Sequence, residues 1–290
     1  MNRKPSVSLT DTTLRDGQQR PGLCFPPETK LRLLRALDAG GVAIADAGIP
    51  AAGSHVKDVM RRMMAERKRI RVSAWNRMRE SDIRDAMEVE PDIIHISVPA
   101  SDRLITRVLS KSHAWVEASL VRCIGLAREH GYTLTVGLQH STRADIPFML
   151  RLAAISKAQG ADMLKLADTV GTLTPWQART LIRSMAQGGL PLGIHTHNDL
   201  GMAVPVAIEA VRAGAAHVDV TCFGIGERAG NCDLFSFVEC GSPVLSVTPA
   251  LWQAEDLNKN AADILFSAIG IHSGTQTEGA NRGQAQPSFP

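Results

Sequence analysis

The residues with the clearest chemical potential are His195 and His197, one threonine apart and preceded by the apolar run Leu192 to Ile194. Side chains two apart on a strand project from the same face, so both imidazoles are expected to aim into one site. Asn198-Asp199 follows directly, which sets the pair at the C-terminal end of a strand and reads as a metal-binding pair rather than two structural histidines. A divalent cation held by imidazole also needs an anionic oxygen. Asp16, just past the first apolar run, is the best-placed carboxylate, although read alone it would serve as a loop cap. Arg15 beside it could balance negative charge developing on a substrate oxygen. Asn231, after the glycine-bearing stretch Gly224 to Gly230, could add a neutral oxygen. The remaining coordination positions suit a 2-oxo acid, chelating through its carboxylate and keto oxygens while the ion polarises the keto group.

Such a site must be built by elements far apart in the chain. Eight short apolar or β-branched runs begin near Val7, Val42, Ile70, Ile93, Leu134, Met163, Leu192 and His217, with room for a helix in each gap. Helical patterns cover Pro27 to Ala39, Ala114 to His130, Asp145 to Gln159 and Met202 to Ala213, and Thr174-Pro175 marks another start. Glycines such as Gly40-Gly41, Gly131, Gly160 and Gly214 close helices before the next strand. Alternating strands and helices imply a parallel sheet. Eight such units in about 240 residues predict a closed (β/α)8 TIM barrel, whose active site lies at the C-terminal ends of the strands. An open dinucleotide-binding sheet would want a Gly-rich turn after the first strand. The turn here, Asp11 to Gly17, is charged instead. One more helix follows Asp233 and another spans Leu251 to Ile269. The catalytic barrel is expected over residues 1–272, and residues 273–290, rich in Gly, Gln and polar side chains, as a disordered tail.

Composition narrows the class. The 290 residues carry a formal charge of only +3 and are 44% hydrophobic and 21% charged, as in an ordinary globular protein. The densest basic run, Arg61-Arg62 with Arg67-Lys68-Arg69, reads as a solvated helix end, so no nucleic-acid partner is expected. No apolar run is long enough to span a bilayer and no leader-like segment opens the chain, so neither a membrane nor a secretory role is expected. The five cysteines lack any paired spacing and fit free thiols in a cytoplasmic protein.

The segment from Asp11 to Gln19 (DTTLRDGQQ) resembles the opening motif of the homocitrate, isopropylmalate and citramalate synthase family. His195 to Gly201 (HTHNDLG) and Gly224 to Asn231 (GIGERAGN) resemble its later motifs, so the likeness runs in order from about Val7 to Asn231. The same superfamily includes hydroxymethylglutaryl-CoA lyase. Gly48 to Ala51 and His95 to Pro99 look most like the homocitrate synthases of nitrogen-fixing bacteria. The resemblance implies a metal held by Asp16, His195 and His197 with Asn231 at or near it, the ion being Mg, Mn, Zn or Co. It implies that Arg15 stabilises an enolate or alkoxide oxygen, that Gln19 lies in the substrate pocket, and that Thr169 binds the substrate carboxylate. Without the family, Thr169 reads as a cap for the helix starting near Pro175. Arg143 and His95 are further substrate contacts, each also readable as a structural ion pair or hydrogen bond. Acetyl-CoA and a 2-oxo acid are the implied substrates and a homodimer the implied assembly.

Three departures from that pattern bear on catalysis. Gln139-His140 stands where the family has Glu-Asp. Gln139 keeps the shape but cannot accept a proton, and His140 could take over that duty or lie at the surface. Asp46 stands where the family has Glu, one methylene shorter beside Arg15. The helical subdomains that the synthases carry beyond the barrel have no counterpart expected here. The leading expectation is a Claisen-type acyltransferase. A retro-aldol or retro-Claisen lyase on the same platform, and a catalytically weak paralogue that binds a metal–oxo-acid complex, stand behind it. The lyase loop carries a catalytic cysteine, whereas Cys222 before GIGERAGN reads as a small buried strand residue.

Overall fold

Each of the eight apolar runs forms a strand, starting within two residues of its expected position. They are β1 (Ser6–Asp11), β2 (Ile44–Gly48), β3 (Arg71–Arg77), β4 (Ile93–Pro99), β5 (Thr133–Gln139), β6 (Met163–Asp168), β7 (Leu192–Thr196) and β8 (His217–Val220). The structure is a computed structural model that describes residues 3–268. All neighbouring strands pair in parallel, in sequence order. β1 closes the ring by pairing with both β8, Leu9 beside Val218, and β2, Thr10 beside Ile44. The chain is therefore a (β/α)8 TIM barrel.

The helices between the strands are α1 (Pro27–Ala39), α2 (Ser54–Glu66), α3 (Glu80–Met87), α4 (His113–Glu129), α5 (Ile146–Ala158), α6 (Pro175–Met185) and α7 (Ala203–Ala213). α8 (Leu234–Gly241) and α9 (Leu251–Ala268) follow the last barrel strand. Of the helices between the strands, the four whose full spans were read from the sequence, α1, α4, α5 and α7, start and end within one residue of expectation. In α1 the period is plain: Leu31, Leu34 and Leu37 face inward, each fully or almost fully buried, at roughly 1.5–3 kcal/mol apiece. α6 starts on a reciprocal cap. The Thr174 hydroxyl accepts from the Gln177 N–H, and the Gln177 side chain accepts from the Thr174 N–H at 2.9 Å. Thr174, not Thr169, is thus the cap of this helix.

One strand escaped the sequence reading. β9 (Ser246–Thr248) lies outside the ring and pairs with the start of β1, Val7 beside Val247. The expected boundary at residue 272 and the tail beyond it lie outside the described residues. Among the described residues no helix is long and apolar enough to cross a membrane.

The two faces of the strands divide the labour. Outward-pointing residues such as Val72, Ile94, Ile96, Val136, Leu164, Ile194 and Val218 are completely buried beneath the helices. The alternate residues point into the barrel and are polar towards the C-terminal end, where the site forms. Period two fixes both sets at once.

Candidate metal centre and oxo-acid pocket

The turn after β1 is wound around one carbonyl. The Thr12 oxygen accepts from the N–H groups of Arg15, Asp16 and Gly17 at 3.1, 2.8 and 3.1 Å. The buried Asp11 carboxylate accepts from the Thr13 N–H and hydroxyl, both at 2.9 Å, and the Thr13 hydroxyl oxygen accepts from the Cys222 N–H at 2.8 Å. Burial lifts the Asp11 pKa to about 7 despite those bonds. The charged turn that argued against a dinucleotide fold is thus a locked hook on β8, and it delivers Arg15 and Asp16 into the barrel mouth.

β7 supplies the imidazoles. The Nε2 atoms of His195 and His197 lie 3.3 Å apart, and Asp16 Oδ2 lies 3.2 Å from His195 Nε2. One donor atom from each of Asp16, His195 and His197 falls within 4.8 Å of the others. Asn231 arrives from the loop after β8, where it bridges to His197 and donates from Nδ2 to the Ile225 carbonyl at 3.0 Å. That loop demands glycine at 230: its φ is +92° and a Cβ would collide with the Gly224 carbonyl oxygen. Asp16 Oδ1, Asn231 Oδ1 and His197 Nδ1 are buried and lack any hydrogen-bond partner. Buried polar atoms without partners are rare in proteins. A carboxylate, two imidazoles and a nearby amide oxygen, three of them with an unpartnered buried atom, form a donor set that fits a divalent cation.

The charges behind the cluster form a chain. Asp219 on β8 accepts from His195 Nδ1 at 3.2 Å with one oxygen and from Lys165 Nζ at 2.5 Å with the other. Burial opposes a charged imidazole at His195, but Asp16 and Asp219 outweigh it and lift its pKa to about 9. Burial and the neighbouring His195 push His197 down to about 4. Burial would raise the Asp16 pKa, yet Arg15 and the two imidazoles hold it well below the usual carboxylate range. Arg15 bonds Asp46 through Nε at 2.9 Å and Nη2 at 2.8 Å, and Asp16 through Nη1 at 3.1 Å. Its guanidinium also lies 5.7 Å from the Trp75 ring centre. Asp46 is therefore long enough to aim Arg15.

A cavity of about 280 Å³ opens over this cluster. Arg15, Gln19, His95, Gln139 and Thr169 line it together with Asp16, His195 and His197. The His95 ring bonds the Thr135 hydroxyl through Nδ1 at 2.8 Å and stands against Gly137, where a Cβ would meet Nε2 at 2.5 Å. Burial and the nearby Lys165 charge keep its pKa well below the ordinary value, so the ring is neutral. The Thr169 hydroxyl oxygen accepts from the His140 N–H at 2.9 Å. Three candidates fall outside the lining: Asn231, buried beside the metal cluster, and two others. His140 turns its Nδ1 to the Ser101 hydroxyl at 3.1 Å, and Arg143 is exposed on the following turn. Sequence reasoning passed over Lys165, Asp219, Trp75 and Glu227, all of which line the cavity. For two of them a signal was there to read: Lys165 and Asp219 each interrupt an apolar strand, Met163-Leu164-Lys165-Leu166 and Val218-Asp219-Val220.

The HMGL-like family model matches residues 6–241, the whole ring of strands and the first helix after it. The chain belongs to the HMGL-like family. It is 38% identical over 234 residues to the homocitrate synthase subunit alpha of Clostridium pasteurianum, covering 80% of this chain and 87% of that one. It is 35% identical over 229 residues to 2-isopropylmalate synthase 2 of Caldanaerobacter subterraneus subsp. tengcongensis, where it spans 79% of this chain and 60% of the relative. A putative (R)-citramalate synthase of Methanothermobacter thermautotrophicus is 36% identical over 228 residues, covering 79% of this chain and 46% of that one. The chain therefore spans about half to nine-tenths of these relatives. Among solved structures, the HMG-CoA lyase of Bacillus subtilis superposes with a TM-score of 0.80 at 19% identity, covering 94% of this chain and 96% of that one. The carboxyl transferase domain of Rhizobium etli pyruvate carboxylase gives 0.71 at 18% identity, over 92% of this chain and 48% of that one. These two likenesses concern the fold.

Proposed function

We propose that the protein is a metal-dependent acyltransferase that condenses acetyl-CoA with a 2-oxo acid. The observation that carries this reading is the convergence of Asp16, His195 and His197, with unpartnered buried atoms on Asp16, His197 and the nearby Asn231, beneath a cavity into which Arg15 also reaches. The sequence relatives, all named as synthases of this kind, support it. Asp16, His195 and His197 would hold a divalent ion, Mg, Mn, Zn or Co, with Asn231 beside it. That ion would supply Lewis acidity towards the keto group.

The other roles belong to the chain. Arg15, fixed by Asp46 and Asp16, presents its guanidinium where the keto oxygen gathers negative charge during carbon–carbon bond formation. Asp219 holds the His195 ring by its far nitrogen, which sets the tautomer that leaves Nε2 free as a ligand. Gln19 and Thr169 bind the carboxylate of the oxo acid, and neutral His95 donates to or accepts from the substrate without adding charge. Gln139 orients substrate through its amide and moves no proton. The acyl methyl carbon gives up a proton and bonds to the keto carbon, the former keto oxygen takes up a proton to become a hydroxyl, and attack of water on the thioester frees CoA and a carboxylate. A cytoplasmic homodimer is part of the same proposal, checked by cell fractionation and sedimentation.

The decisive assay is thiol release from acetyl-CoA with a panel of 2-oxo acids, including 2-oxoglutarate, and a divalent metal. Metal-dependent release with one acid is the expected result. Silence across the panel with metal bound overturns the reading. Gln139, which cannot accept a proton, favours a second one, a catalytically weak paralogue that binds the metal–2-oxo-acid complex and releases neither a thiol nor a cleavage product.

A further inference from the structure

The two halves of the cavity wall differ in charge. In a closed eight-stranded ring, β3, β4 and β5 lie across from β7, β8 and β1. The metal-binding half carries the charge: Asp16 and Arg15 after β1, Asp219 on β8, and on the flanking strands Lys165 and Asp46. The opposite half contributes Ser73, Trp75, His95, Ser97, Gly137 and Gln139. None of these bears a formal charge, since burial and nearby cations keep His95 neutral.

Every cation at the lining is already matched. Arg15 is held by Asp46 and Asp16 at 2.8 to 3.1 Å, and Lys165 by Asp219 at 2.5 Å. Arg228, at the rim, is taken by Asp199 at 2.8 Å and by the Thr169 carbonyl at 2.9 Å. Arg143 stays outside on its exposed turn. With His195 neutral as a metal ligand, the lining carboxylates Asp16, Asp46, Asp219 and Glu227 outnumber Arg15 and Lys165 by two, an excess that one divalent ion offsets. A 2-oxo acid bound by its carboxylate and keto oxygens on the β7–β8–β1 side extends its side chain towards the neutral wall. A second carboxylate there would be buried with no unpaired cation to meet it, since Arg15 and Lys165 are already held by carboxylates, and proteins avoid such a charge.

We infer that the oxo acid taken by this site has an uncharged side chain: a 2-oxo monocarboxylic acid, not a 2-oxo dicarboxylic acid. The inference rests on the proposed oxo-acid site and sharpens it. Trp75 and the small residues beside it suit a short alkyl group, and Ser73, Ser97 and Gln139 supply hydrogen bonds but no countercharge.

Binding can test this separately from turnover. Manganese-loaded protein is titrated calorimetrically with 2-oxobutanoate and with 2-oxoglutarate. The monoacid is expected to bind at least about tenfold more tightly; equal or tighter binding of the diacid overturns the inference, as does absence of binding by either. Ser97→Lys, which sets an ammonium group in the neutral wall, is expected to move the ratio towards the diacid by about tenfold. An unchanged ratio in folded Ser97→Lys protein defeats the charge argument, and if that variant does not fold the wild-type ratio still decides. CoA release is followed in parallel with acetyl-CoA. Tight monoacid binding without CoA release defeats the acyl-transfer reading and leaves this inference standing.

Discussion

The floor of the barrel and its mouth both bury carboxylates, and they treat them in opposite ways. At the floor, Asp38 accepts from the backbone N–H groups of Lys68, Arg69 and Ile70, using both oxygens. The half-buried Asp92 likewise uses both, accepting from Arg67 at 2.6 and 2.7 Å and from the Val72 N–H at 2.8 Å. These groups stitch a helix end or a loop to the start of a strand, and nothing is left over. At the mouth, Asp16 and Asp46 each keep one buried oxygen without a partner. An unbonded buried oxygen costs stability, so the mouth retains what the floor has removed. The difference separates residues that hold the fold from residues held ready for a ligand, as expected for the two faces of a barrel.

The comparison breaks if substitutions at the two ends have the same consequence. Asp16→Asn and His195→Ala should each lower metal affinity by more than the ~10–100-fold that outer partners of a metal site cost, measured as metal retained after dialysis. Full occupancy in both variants would sink the metal assignment. Lys165→Met leaves Asp219 as a buried charge without its ammonium, so denaturant unfolding of the metal-free protein should show a loss of about 3–5 kcal/mol. This tests whether the charge chain behind the metal ligands also carries stability. Asp38→Ala strips the acceptor from three backbone N–H groups and should cost about 2–3 kcal/mol while leaving metal affinity at the wild-type value. A floor variant that lost metal as readily as it lost stability would erase the distinction.

Two smaller effects sharpen it. Gln139→Glu restores a proton acceptor at the pocket wall, and CoA release per metal-loaded site should rise about tenfold, short of a fully positioned base. A fall would assign the amide to different chemistry. At the floor, burial opposes ionisation of Asp92, but Arg67 and the Val72 N–H hold its pKa below the ordinary carboxylate value. A depressed carboxylate stabilises the fold above its ordinary pKa and loses that contribution as pH falls through the lower folded value. Urea midpoints of the wild type should therefore drop below about pH 4 more steeply than those of Asp92→Asn. Identical acid limbs would show that Asp92 contributes nothing measurable.

Much of this molecule is local and therefore legible in its sequence. Period-two strands, period-3.6 helices and the glycines between them set eight strand starts to within two residues, because each signal is read over a few neighbours. β9 was missed because three residues carry no period and its strand character comes from pairing with Val7, far away in the chain. The same division runs through the site. His195 and His197 announce themselves by spacing, and Asp16 by its place after a strand. The resemblance to a known family adds Gln19 and Thr169, while His140 and Arg143 show how a motif position can face away from the cavity.

Contacts across the ring were not legible. Lys165 meets Asp219 only because β6, β7 and β8 align Lys165 with Gly193 and His195 with Asp219, and Gly193 has no side chain to come between them. Arg15 reaches Asp46 across 31 positions because β1 and β2 close the barrel. By itself the sequence determined which residues face inward and what chemistry they can offer. Only the closed sheet decided which charges cancel and which wall stays neutral, because a charge's partner is set by strand register and ring closure, and neither is written in any short stretch of chain.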